Sequence, residues 1–401
     1  MANTRRKPGN DTAGSVEALL DEVRQLLVEL HPQQQLPVIS LDSTLDRELG
    51  LDSLARVELL LRIERHFDVH LPEELVMSAE TPRDLLKGVL GAAALAPEIE
   101  TYTGASMDEE AGGEPRRATT LVEVLDWHAD KHPERPHILF YGHRGKKETI
   151  TYGALRKDAE AVCTGLRRLD LRPGQSVGIM LPSGREFFAG FYGILLAGGV
   201  PVPVYPPIRL RQIEEHMRRQ AGILANARIR ILIAFDEVRP MGRLLKSQIE
   251  SLQHVLTVTK IATTRDSRER PVSQPQDVAL LQYTSGSTGN PKGVVLTHAN
   301  LLANIRAMGQ AAGIETSDVF VSWLPLYHDM GLIGACMGSL YYAVPLVLMS
   351  PLSFMARPQR WLWAIHEHRG TISPAPNFAY ELCLRAIDDG DIQGLYLSSW
   401  R

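Results

Sequence analysis

The 401-residue chain is 44% hydrophobic and 22% charged, with a formal net charge of −4, which predicts an ordinary globular protein of two or three domains. There is no long basic block, so a nucleic-acid partner is not suggested. The three cysteines, Cys163, Cys336 and Cys383, have neither metal-site nor disulfide spacing and read as reduced core thiols of a cytoplasmic protein.

The first residues, M-A-N-T-R-R-K-P-G-N, carry charge without an apolar stretch behind them, so they do not form a secretory signal. Residues 1–14 read as disordered. Apolar positions then recur at Val16, Leu19, Leu20, Val23, Leu26, Leu27 and Leu30, a helical stripe with Ser15 as its N-cap. A Pro/Gln-rich loop covers 31–37. The run L-G-L-D-S-L at 49–54 opens a second stripe at Leu54, Val57, Leu60, Leu61 and Phe67. Leu71-Pro72 breaks that pattern, and a short helix over 82–90, with Pro82 at its first position, closes the unit.

Ser53 therefore sits at the mouth of a helix. A phosphate ester there would meet free backbone N–H groups and the positive end of the helix dipole. The plainer reading is that Asp52 or Ser53 caps the helix. A compact helical unit with G-L-D-S-L opening its second long helix resembles an acyl carrier protein. The resemblance implies a four-helix-type carrier domain over 15–92. It also implies that Ser53 carries 4′-phosphopantetheine, installed by a phosphopantetheinyl transferase, whose thiol holds an acyl group. Asp52, Glu58 and Glu64 suit a surface that docks basic partner enzymes, and equally a solvated helix face.

Residues 93–117 shift to Ala, Gly, Glu and Pro and read as a flexible linker. From 118 to 401 strand and helix patterns alternate. Helices are expected over 121–132, 152–169, 185–197, 208–226 and 241–252. Strands are expected over 137–141, 149–151, 176–181, 200–204, 230–234 and 255–258. This alternation predicts βαβ units, a parallel sheet and a doubly wound α/β fold. The apolar stretch 332–349 is broken by Gly334, Gly338 and Pro345, so a buried helix followed by a strand explains it better than a transmembrane segment.

Residues 283–293 read Y-T-S-G-S-T-G-N-P-K-G between two apolar strands. Glycines leave backbone N–H groups free to face an anion. Hydroxyls add donors, and Lys292 adds a positive charge. The bland alternative is a flexible Gly/Ser loop. The spacing is not that of a Walker A loop. Downstream, S-W-L-P-L-Y-H-D-M-G-L at 322–332 runs from a strand into a polar turn holding His328. Such a position, just past the C-terminal end of a parallel strand, is where open α/β sheets bind ligands. Taken alone, a histidine there is more often structural.

The two stretches together resemble the adenylate-forming superfamily. The resemblance implies that Thr284, Ser285, Gly286, Ser287, Thr288, Gly289 and Lys292 hold the phosphates of ATP. It implies Mg²⁺ with Thr284 as a ligand, and His328 beside a carboxylate substrate. The runs G-G-V-P-V-P-V-Y-P-P at 198–207 and P-L-Y-H-D-M-G-L at 325–332 are similar to the fatty-acyl-AMP ligase branch. That branch makes an acyl-adenylate from a fatty acid and hands the acyl group to a carrier. The run 332–340, with Trp361 and Trp363, is expected either to line an acyl tunnel or to pack the core. The resemblance also implies an acidic motif, a ribose-binding aspartate and a C-terminal lysine, none of which occurs before Arg401. Little adenylation is therefore expected from this chain alone. A fatty-acyl-CoA synthetase, an amino-acid-activating adenylation module and a non-catalytic carrier module remain as alternatives.

Overall fold

The computed structural model describes every residue except 1–11, 31–37, 52, 70, 72–74, 76–77, 93–112, 143–146, 208–212, 265–268 and 285–291. The described residues form two compact units. One draws on 1–102, 352–363 and 375–395, and the other on 103–351, 364–374 and 396–401.

In the first unit, α1 (Thr12–Leu30) packs on α2 (Ser53–Phe67) and α3 (Pro82–Gly91). The predicted stripes face inward. Leu19, Val23, Leu26 and Leu27 are buried, as are Leu59, Leu60, Ile63, Leu85 and Val89. Helix α1 starts at Thr12, three residues ahead of the predicted cap Ser15. The acidic docking face read from the sequence needs correction. Glu64 is buried and its carboxylate accepts from Leu71 N at 2.6 Å. Glu58 accepts from Arg62 Nη2 at 2.6 Å. These two carboxylates serve the unit's own structure. Asp52 lies outside the described residues.

The second unit begins with α4 (Leu121–Lys131), β1 (Pro136–Tyr141), β2 (Lys147–Thr151) and α5 (Tyr152–Arg168). It continues with β3 (Ser176–Met180), α6 (Arg185–Leu196), β4 (Val200–Pro203), α7 (Ile213–Asn226), β5 (Ile231–Ala234), α8 (Gly242–Gln248), β6 (His254–Leu256) and α9 (Val258–Ile261). Then come β7 (Val278–Thr284), β8 (Lys292–Thr297), α10 (His298–Ala312) and β9 (Phe320–Ser322). A π-helix (Met330–Met337), α11 (Gly338–Tyr341) and β10 (Leu346–Met349) follow.

Strands β4-β3-β5-β6 form one sheet, parallel throughout. The chain leaves β3 for β4 on one side and returns to β5 on the other, the doubly wound pattern that the alternation predicted. Strands β3, β4 and β5 are buried along almost their whole length, as a parallel sheet covered on both faces requires. Helix α6 is buried from Phe187 to Leu196. It packs against α5, and its all-round apolarity is that of a core helix.

Two strand pairs depart from the parallel expectation. In the sheet β2-β1-β10-β9, β1 pairs antiparallel with β2 while the remaining pairs are parallel. Strands β7 and β8 form an antiparallel ribbon of their own. Both antiparallel pairs join neighbouring strands through short connections, and a parallel pair needs a crossover of a dozen or more residues. The stretch 332–349 forms the π-helix, α11 and β10. Leu332 and Leu340 are fully buried in the core, so the run packs the interior. In the first unit Trp361 is buried, its ring 5.6 Å from both Phe354 and Tyr380. Cys163 and Cys336 are buried free thiols and Cys383 is partly buried.

Candidate functional site

The β7–β8 ribbon holds the two ends of the glycine-rich stretch. Thr284 closes β7 and Lys292 opens β8, and the two are cross-strand partners in register. Both are exposed. A hydroxyl and an ammonium therefore stand side by side at the mouth of the loop. Ser285, Gly286, Ser287, Thr288 and Gly289 lie outside the described residues. The ribbon is anchored below the loop: Tyr283 OH donates to Asn226 Oδ1, at the end of α7, at 2.5 Å. Gly293 keeps this packing open, since a Cβ there would come within 2.9 Å of the Tyr283 ring.

The second motif leaves β9 and turns at Pro325. The His328 N–H donates to Pro325 O at 3.2 Å, and Leu332 N donates to His328 O at 2.9 Å. His328 is 56% exposed, with Nδ1 2.6 Å from Asp329 Oδ1. Asp329 also caps the π-helix by accepting from Met330 N at 2.7 Å. Gly331 allows the helix to press on the turn, because a Cβ at that position would lie 2.4 Å from Pro325 O.

The structure joins the two motifs through a residue that sequence reasoning missed. Gln282, one position before Tyr283 and 5% exposed, donates from Nε2 to Tyr327 O at 2.9 Å. Tyr327 is the neighbour of His328, and its phenol is pushed far above its ordinary range by burial. Its ring lies 4.2 Å from that of Tyr205, the tyrosine of the V-Y-P-P run after β4. The signal for Gln282 was a lone amide in an otherwise apolar strand, Val278 to Leu281.

Thr284 and Lys292 suit a phosphate: one donor hydroxyl and one point charge at an open loop mouth. Among the described residues no group of three or more His, Cys, Asp or Glu could hold a metal. Ser53 is the first residue of the fifteen-residue helix α2, where the first backbone N–H groups have no intrahelical partner. The fit to a phosphate ester rests on that placement.

The chain belongs to the AMP-binding enzyme family, which it matches over residues 125–400. Residues 21–89 match the phosphopantetheine attachment site family. The medium-chain-fatty-acid–[acyl-carrier-protein] ligase JamA of Moorena producens (strain JHB) is 33% identical over 290 residues, covering 71% of this chain and 48% of that ligase. The long-chain-fatty-acid–AMP ligase FadD26 of Mycobacterium marinum (strain ATCC BAA-535 / M) is also 33% identical over 290 residues, covering 69% and 49%. A fatty acyl-adenylate ligase structure from L. pneumophila, in complex with acyl adenylate and pyrophosphate, superposes with a TM-score of 0.65 at 32% identity. It covers 74% of this chain and 50% of that one. The chain thus spans about half the length of the curated relatives it matches. No helix among the described residues is long and apolar enough to cross a membrane.

Proposed function

We propose that this chain belongs to a cytoplasmic fatty-acyl-AMP ligase with a carrier domain at 15–92, a linker at 93–117 and a ligase domain from 118. The observation that carries the reading is the Gln282–Tyr327 bond, which ties the strand leading into the glycine-rich loop to the turn bearing His328. Relatives named as fatty-acid ligases acting on a carrier protein or forming AMP adducts support it.

Thr284, Ser285, Gly286, Ser287, Thr288, Gly289 and Lys292 hold the triphosphate of ATP. Thr284 would contribute a ligand to Mg²⁺, which would supply charge neutralisation on the phosphates. A fatty-acid carboxylate oxygen attacks the α-phosphorus, and the bond to pyrophosphate breaks. Positioning and electrostatics carry such a step, so His328 orients the carboxylate and needs no basicity of its own. The acyl group passes to a thiol, with AMP as leaving group and the thiol proton released. Ser53 would bear the 4′-phosphopantetheine that supplies this thiol, after modification by a phosphopantetheinyl transferase.

Two measurements test the proposal. The complete protein treated with a pantetheinyl transferase, then ATP and a fatty-acid mixture, should show first a pantetheinyl and then an acyl increment on the Ser53 peptide by mass spectrometry. An unmodified Ser53 would sink the carrier assignment. Lys292→Ala should lower fatty-acid-dependent ATP–pyrophosphate exchange by about tenfold or more, the scale of losing one pre-organised electrostatic contact. Normal exchange in that variant would refute the phosphate role. A relative named as a putative fatty-acid–CoA ligase, 33% identical over 263 residues, keeps coenzyme A as the second reading for the acceptor. Parallel assays with CoA and the pantetheinylated carrier separate the two.

A further inference from the structure

We infer that Gln282 is a positioning residue for adenylation, which with Tyr205 locks the His328 turn in register with the end of β7 at Thr284. The inference rests on the adenylation reading above and deepens it.

The turn at 325–328 is shaped by its own backbone bonds, from His328 N to Pro325 O and from Leu332 N to His328 O. Those bonds set its curvature and leave its distance from β7 undetermined. The Gln282 amide sets that distance. Its Nε2 reaches Tyr327 O at 2.9 Å, one residue from the histidine. Along β7 it stands two residues before Thr284, about 7 Å at strand rise. Because the partner is a carbonyl, the amide nitrogen must face it, so the side-chain orientation follows from chemistry.

A side chain selected for packing alone would be apolar here. Gln282 is 5% exposed, and its Oε1 has no partner among the described residues. A buried acceptor left unpaired costs stability that leucine or methionine would avoid. Tyr205 holds the other side of the same turn through its ring contact with Tyr327, 4.2 Å between centroids at 39°. Its own carbonyl accepts from His216 Nε2 at 2.8 Å. Strand β4 runs beside β7, so the segment after β4 and the amide on β7 grip Tyr327 together. In-line attack tolerates little displacement: a misplacement of about 1 Å can cost roughly a hundredfold in rate.

The test uses the complete protein with Gln282→Met, which keeps length and apolar volume but removes the donor, and with Tyr205→Leu at a position 47% exposed. In fatty-acid-dependent ATP–pyrophosphate exchange, Gln282→Met should lower kcat by about tenfold and raise the fatty-acid KM, with the ATP KM held within about twofold. Tyr205→Leu should show the same split, about threefold in kcat. Hydrogen exchange across 325–332 should quicken in both variants while 231–234 stays protected. The inference is overturned if both variants keep wild-type kinetics. It is also overturned if activity falls only in proportion to unfolded protein, with both KM values and the protection of 325–332 unchanged. If the parent protein shows no fatty-acid-dependent exchange, the adenylation reading fails separately. The hydrogen-exchange comparison still decides whether Gln282 positions the turn.

Discussion

At the scale of single residues, the site depends on close approaches that leave no room for added atoms. Gly331 is the clearest case. Its Cα faces the carbonyls of Leu324 and Pro325, and a methyl group there would lie 2.4 and 2.9 Å from Pro325 O and Leu324 O. Neither backbone oxygen can swing aside as a side chain would. Gly331→Ala should therefore destabilise the fold by about 1–3 kcal/mol, the range for overpacking a well-filled interior. Urea unfolding would measure this, and an unchanged midpoint would contradict the close approach. The same change should displace the His328 turn and reduce pyrophosphate exchange together with stability. His328 and Lys292 could be picked out from the sequence because their motifs are long. Gln282 could not, because one amide in an apolar strand has no periodicity to betray it.

At the scale of elements, local signals proved reliable where they involve neighbours in sequence. Thr297 caps α10: its Oγ1 accepts from Asn300 N at 3.1 Å while Asn300 Oδ1 accepts from Thr297 N at 3.1 Å. This reciprocal box starts α10 directly after β8, so it fixes where the ribbon ends. Thr297→Ala should cost about 1 kcal/mol, read as a fall in the denaturant midpoint at unchanged slope; a change under a few tenths would show that the cap contributes little. Element type was harder where strands pair. An apolar run such as Val294–Val295 reads as a buried strand. In the two-stranded ribbon those residues are 43% and 58% exposed. The π-helix has no sequence signature of its own.

At the scale of the whole unit, buried histidines couple folding to pH. His137 on β1 is fully buried, with both ring nitrogens unpartnered among the described residues. Its ring and that of His128 on α4 both stack on Tyr152 of α5, at centroid distances of 4.6 and 4.8 Å. Arg135 adds positive charge nearby. Burial first, and then neighbouring positive charge, holds both imidazoles well below their ordinary range. His298, at the start of α10, is pushed down to about 4, chiefly by burial. Its Nδ1 accepts from Leu121 N at 3.1 Å, a bond that protonation would abolish, while Asp277 and Glu123 partly offset the shift. The direction follows from linkage. Between the ordinary value of 6.5 and about 4, the unfolded chain takes up protons that the folded chain refuses. Stability is thus fully present above pH 6.5 and falls as pH drops through that window, by about 1.4 kcal/mol per pH unit for each such histidine. Replacing His137 by Phe should keep the ring stack and remove one histidine's share of the slope. Urea midpoints from pH 4.5 to 7.5 would measure it, and an unaltered slope would count against the buried neutral imidazole.

The sequence alone determined the helices of the first unit, the alternating strands and helices of the second, and the position of both chemical motifs. These are properties of residues near one another along the chain, where apolar period, caps and glycines act directly. Tertiary structure decided which strands pair antiparallel, that Glu64 faces inward, and that Gln282 and Tyr205 converge on Tyr327. Gln282 and Tyr205 stand tens of positions from Tyr327, whereas the antiparallel pairs and the Glu64 contact join nearer residues whose facing only the packed chain decides. Packing sets such meetings, and no local pattern encodes them.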